Sequence, residues 1–138
     1  MTLIQQRPIC RCCGLPAVRG RWGKRRRAAY GGRKGLALPS EFPVWLCRQS
    51  RALCPTLDVL TALQAAHRES VRQSVVKSLD ELSRWSSGRK LETKLGVSQG
   101  YFSRLRHGKG QPSTVLAILL ELLARDPTRL SELDEHWG

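Results

Sequence analysis

The chain has 138 residues, enough for one ordinary domain or two small ones, and carries 24 Lys+Arg against 11 Asp+Glu for a formal charge of +13. No run approaches the roughly 18 apolar residues of a membrane-spanning helix, and the opening Met1–Pro8 lacks a signal peptide's apolar centre, so a soluble cytoplasmic protein with no membrane partner is expected. So strong a positive balance is typical of chains that meet nucleic acid.

The charge is uneven. Residues 1–56 hold 12 Lys+Arg and one acid, Glu41, a balance of +11; residues 57–138 hold 12 and 10, a balance of +2. The basic part also holds all five cysteines, and in a reducing compartment their clustering suggests metal ligation or free thiols rather than disulfides. Cys10-Arg11-Cys12-Cys13-Gly14 contains a C-x2-C pair followed by glycine, the spacing that lets two thiolates converge on one ion. Cys47 and Cys54 are the candidates to complete a four-thiolate site, although their spacing is wide and Ser50 stands where a C-x2-C partner of Cys47 would be. Structural zinc on Cys10, Cys13, Cys47 and Cys54 is therefore set against a site that holds no metal and against buried thiols, with Cys12 pointing away.

Between the cysteines, Arg19–Arg27 places six cations in nine residues, and Arg21, Lys24, Arg25, Arg26 and Arg27 are the expected phosphate-contacting arm. Trp22 or Tyr30 is read as available to stack on an unpaired base. A solvated loop and an acidic protein partner are the other readings of this segment. Leu36–Leu38 and Phe42–Leu46 suit strands, with Gly31-Gly32 and Arg33-Lys34-Gly35 as turn material. Such a β-rich knuckle buries too little to stand without a staple.

From Leu57 the pattern becomes helical, with Leu57, Leu60, Leu63 and Ala66 on one face and Val71, Val75, Leu79 and Leu82 continuing it. His67 is read as a surface histidine, and Trp45, Trp85 and Trp137 as core or interface anchors. After a break at Ser86-Ser87-Gly88, residues 89–95 form the first helix of a helix-turn-helix. Gly96 ends it, Ser98 is expected to cap the next helix, Phe102 and Leu105 face inward, and Gly108 closes it. Gln99, Ser103, Arg104 and Arg106 are left facing out; Gln99 suits adenine and Arg104 suits guanine. Ser113 is the expected cap of an almost wholly apolar helix over 115–123, taken as the most buried, and Asp126-Pro127 opens the last.

The fold class expected is mainly α: a C-terminal helical bundle with a helix-turn-helix, after a small β-rich zinc-knuckle-like module. Its parts are 1–56, a basic cysteine-containing module; 57–88, a helical connector for dimerisation; and 89–138, the DNA-binding domain. No acid/base pair, activated nucleophile or phosphate-cradling loop is present, so no enzyme is expected.

Residues 91–123 resemble the helix-turn-helix of phage repressors and Xre-type regulators, through Leu91-x3-Leu95-Gly96-Val97-Ser98-Gln99-x2-Phe102-Ser103-x-Leu105-x2-Gly108-x3-Pro112-Ser113. The resemblance implies base reading by Gln99, Gly100 and Arg104, phosphate contacts by Ser98, Ser103 and Lys109, and a role for Tyr101 at a thymine methyl or a phosphate. It implies a repressor, homodimeric on a palindromic operator in double-stranded DNA. Glu92 stands where that family usually has a small alanine, and is expected to reach solvent or to pair with Lys94 or Arg106. A C-x2-C-G module ahead of such a motif, with Leu119–Leu130, is similar to antitoxins of the MqsA type. That resemblance implies an autorepressing antitoxin whose first 56 residues neutralise a protein toxin. Ser50 and the +11 balance depart from that pattern. A zinc-knuckle RNA-binding protein is the remaining alternative.

Overall fold

The computed structural model describes residues 7–137, with side chains through Glu135; the opening residues read for a leader and the Trp137 side chain lie outside that description. The chain is mixed α and β and divides into two compact units, 1–67 and 68–138. The boundary falls within a long helix, so residues 57–88, expected as a connector, are shared between the units.

In the first unit a three-stranded antiparallel sheet runs β1 (Val18–Arg21), β4 (Pro43–Leu46), β5 (Leu53–Cys54), and β2 (Ala28–Tyr30) pairs with β3 (Arg33–Leu36) in a separate hairpin. The strand after the glycines begins at Arg33, inside the stretch read as turn, because Gly31 and Gly32 make the reversal themselves with φ of +57° and +79°. Gly20 lies opposite Val44, and a Cβ there would stand 2.5 Å from Leu46 Cδ1, so the missing side chain is what lets Leu46 close over the sheet. The core beneath is Trp22, Leu36, Leu38, Val44, Val59 and Leu63.

The helix α1 (Leu57–Leu82) starts where Thr56 Oγ1 accepts from Val59 N at 3.4 Å. Its phase differs from the expected one: Val59 and Leu63 are buried in the first unit, while Leu57 is 80% exposed and Leu60 is at the surface. His67 is no surface histidine. It packs edge-on against Tyr30, ring centres 5.9 Å apart, under Gly31, with Nε2 buried and unbonded.

The second unit is helical. Val71, Val75, Leu79 and Leu82 of α1 meet Leu91 of α2 (Gly88–Leu95), Phe102 and Leu105 of α3 (Tyr101–Arg106), Ala117, Leu120 and Leu123 of α4 (Thr114–Arg125), and Leu130. Ser87 caps α2 by accepting from Lys90 N, and Ser113 caps α4 by accepting from Leu116 N at 3.1 Å. The helix α4 buries Ala117, Leu120 and Leu123, and leaves Val115, Ile118 and Leu122 largely exposed along one stripe. Pro127–Ser131 is a 3₁₀ turn rather than α-helix, with α5 (Glu132–Trp137) after it; Asp126 does not cap it through its side chain. No described helix is long and apolar enough to cross a membrane.

Candidate nucleic-acid interface and metal centre

The turn between α2 and α3 is built around one buried acid. Gly96 adopts φ +71°, and its amide closes α2 on Glu92 O and Thr93 O. The chain turns again so that Tyr101 N bonds Ser98 O at 3.1 Å, and Gly100, at φ +79°, holds the N-cap position of α3. Ser98 is therefore not the cap. The amides of Gly100 and Phe102 donate instead to the two carboxylate oxygens of Glu92, at 3.1 and 3.0 Å. Glu92 is 6% exposed, and a carboxylate at a helix N-terminus is favoured both by the unpaired amides and by the helix dipole. It pairs with neither Lys94, which grips Asp134 at 2.7 Å, nor Arg106, which binds Asp80 of α1 at 2.5 Å.

With Phe102 and Leu105 pinned inward, α3 and the turns on either side of it expose Gln99, Ser103, Arg104, Arg106 and Lys109. Ser98 is exposed and accepts through Oγ from Arg104 Nη2 at 3.0 Å, and Arg104 Nη1 reaches Gln99 O at 3.4 Å across Gly100. A Cβ at Gly100 would stand 3.4 Å from Arg104 Nη1, an ordinary contact, so it is the positive φ that favours glycine there. Arg89 Nε and Nη2 face the Gln99 side-chain amide and can only donate, so the amide is assigned with its oxygen toward them, accepting from Nε at 3.1 Å and from Nη2. Tyr101 is half-buried, its ring 5.7 Å from that of Phe102. Of the expected reading residues, these bonds bring Ser98, Gln99 and Arg104 together, Ser103 and Lys109 are exposed, and Arg106 is held by Asp80. Glu92 and Arg89 were not expected at this surface; the sequence signal for Glu92 was an acid where the regulators it resembles usually have a small alanine.

In the first unit the cysteines come together. The loop after Ile9 closes by Cys10 N to Leu15 O and Gly14 N to Cys10 O, with Gly14 at φ +72°, and Cys12 N points at Cys10 Sγ from 3.3 Å. Across from it, the turn between β4 and β5 brings Ser50 N to 3.5 Å from Cys47 Sγ. The sulfurs of Cys10, Cys13 and Cys47 all lie within 4.8 Å of one another, and Cys54 joins their buried cluster from β5, opposite Trp45. Cys47 and Cys13 sulfurs are 3.7 Å apart. A disulfide needs about 2.05 Å. Two thiolates on a tetrahedral ion at about 2.3 Å each are separated by roughly 3.8 Å. Hydrogen bonds from the Ser50 side chain and the Ser50 and Gln49 amides lower the Cys47 thiol to about 6. Amide hydrogen bonds from Cys13 and Cys12 lower Cys10. Burial raises Cys54 to about 11, so it would shed its proton only to a cation. Cys12 is exposed. This cysteine cluster is compatible with a bound metal ion.

The basic arm is partly tied down. Arg21 lies 3.5 Å from Glu41; Arg26 donates to Arg51 O and lies 5.6 Å over Trp22; Arg27 donates to the Lys24 and Arg26 carbonyls. Lys24 and Arg25 are exposed. Trp22 is 1% exposed at the centre of the first core and cannot stack on a base, because the strand end that carries it turns its ring inward. Trp45 is half-buried under the Arg19 guanidinium, 4.7 Å away, and borders a groove of about 760 Å³ that also includes Phe42, Leu57 and Ala62. Trp85 is 62% exposed.

No protein-family model matches this chain, and no curated protein matches it significantly.

Proposed function

We propose that this protein is a sequence-specific regulator of transcription, a repressor that binds double-stranded DNA as a homodimer on a palindromic operator. The observation that carries this reading is the paired α2 and α3, whose turn is locked by Glu92 while Gln99, Ser103, Arg104 and Lys109 face solvent together. Such a surface combines base-edge donors with phosphate contacts. The stripe of Val115, Ile118 and Leu122, spaced three and four apart, is a seam that a second copy would cover. Lys24 and Arg25 add charge for phosphates.

Zinc is the metal we assign to Cys10, Cys13, Cys47 and Cys54. Four thiolates would leave no position for water, so its part is to staple a small core, and the chain is not an enzyme in this reading. A regulator of this kind works in the cytoplasm.

A second reading, an autorepressing antitoxin whose residues 1–56 hold a partner protein, is favoured by the groove beside Trp45. The RNA-binding alternative loses the stacking role it gave to Trp22.

Selection of duplexes from a random library at about 150 mM salt, where non-specific phosphate binding is suppressed, is the test. A palindromic motif supports the proposal. Recovery of no motif, with binding lost at that salt, overturns it.

A further inference from the structure

The geometry points to Arg89 as the residue that sets the base preference of Gln99, by occupying the acceptor half of its amide so that Gln99 reads guanine or thymine rather than adenine. This inference rests on the DNA-reading function proposed above.

A glutamine amide recognises adenine with both halves: its oxygen accepts from N6 while its NH2 donates to N7. Arg89 can present only donors here, so the amide is assigned with its oxygen toward Arg89, and in that orientation the oxygen is engaged. Arg89, in the first turn of α2, presents Nε and Nη2 side by side, and both donate to that oxygen. An amide oxygen has two lone pairs, so a two-pronged guanidinium leaves none for a base. The other half of the amide is then the NH2 group, which only donates. Its complements in the major groove are guanine O6 and N7 and thymine O4.

The neighbouring groups act the same way. Arg104 can only donate, and its guanidinium is already placed by Ser98 Oγ and Gln99 O. The acid that could have offered an acceptor here, Glu92, is turned inward onto the amides of Gly100 and Phe102. Gln99 and Arg104 therefore offer a donor edge, and the matching half-site is rich in acceptors, with guanine the best partner of each. In free protein the Arg89–Gln99 pair is exposed and competes with water. At a DNA surface that competition is reduced, and an adenine N6 facing the filled amide oxygen would be left unpaired.

The test compares duplexes selected by the full chain, by Gln99→Ala and by two variants, Arg89→Ala and Arg89→Met, each first shown to melt like the parent. The base column that loses preference in Gln99→Ala marks where Gln99 reads. The parent is expected to select guanine or thymine in that column, and both Arg89 variants to move it toward adenine by about tenfold in relative affinity. Recovery of no motif by the parent would overturn the DNA-reading function and this inference with it. A clear parental motif with adenine in the Gln99 column would overturn this inference alone. So would Arg89 variants that weaken all sequences equally with the column unchanged, which would make Arg89 a phosphate contact.

Discussion

The Glu92 carboxylate accepts from the backbone amide of Phe102 at 3.0 Å, ten residues ahead in the chain, while its other oxygen takes the amide of Gly100. A short helix that lacks a local side-chain cap is thereby anchored to the helix before it. The carboxylate fixes where the exposed residues of α3 sit, although it is itself hidden from any ligand.

Glu92→Ala removes both acceptors and leaves two amides of the turn without partners, an unfolding cost of about 1–3 kcal/mol. Glu92→Gln keeps the shape but offers only one acceptor oxygen, and should fall between the two. Urea denaturation of the parent and both variants checks the order. An alanine variant as stable as the parent would show that water or a shifted turn replaces the carboxylate.

That contact also marks what could be read in advance. Gly96 and Ser113 are local signals, each acting within four residues, and each holds the position expected of it, while Ser87, read only as part of a break, caps α2. Ser98 carried the same local logic but the wrong answer, because the acceptor for α3 comes from the preceding helix. Trp22 misled for a related reason: its neighbours Arg21 and Lys24 describe the surface of the arm, whereas its own ring is fixed by strand β1 ending over a core made from distant residues. The grouping of Cys10, Cys13, Cys47 and Cys54 followed from residue type and clustering along the chain, and the β4–β5 register is what delivers Cys54 to it. In α1 the helix was evident and its phase was not, since Leu57 and Val59 are equally apolar and only packing distinguishes them.

The metal site predicts a selective cysteine pattern. Protein purified with zinc should carry one ion per chain; Cys12→Ser should keep it, and Cys47→Ser should lose it. Elemental analysis after gel filtration measures this directly. Loss of metal in Cys12→Ser would mean that the exposed thiol replaces one of the proposed ligands.

Proton linkage gives the same site a sign. The metal-free chain holds Cys54 protonated at neutral pH because burial raises it to about 11, whereas Cys47, lowered to about 6, is already largely thiolate. The loaded site needs both as thiolates, so the metal-free form binds more protons and affinity rises with pH. Calorimetric titration at neutral pH in two buffers of different ionisation heat should show proton release, reduced in Cys54→Ser. Release unchanged by that substitution would remove Cys54 from the ligand set.

The apolar stripe of α4 makes the proposed dimer testable. Ile118 is half exposed and sits between Val115 and Leu122, so Ile118→Asp should leave the fold intact, because the buried face of the helix is Ala117, Leu120 and Leu123. Light scattering on eluting protein should show a dimer for the parent and a monomer for the variant. A variant that remains dimeric would place the interface elsewhere.

Reading and gripping should separate on α3 and just beyond it. Arg104 faces out from the helix beside Gln99, so Arg104→Ala should relax selection at one or two base positions, at a cost of about 1–3 kcal/mol against the preferred base. Lys109 lies past Gly108 and is exposed, with its amide closing the helix end on Arg104 O at 2.8 Å. Lys109→Ala should therefore weaken all duplexes alike and lower the salt slope by about one. Binding isotherms for a selected operator and a scrambled duplex, taken across a salt series, distinguish the two. If both variants bind the operator as the parent does, the face built on Glu92 is a structural surface and DNA is read elsewhere.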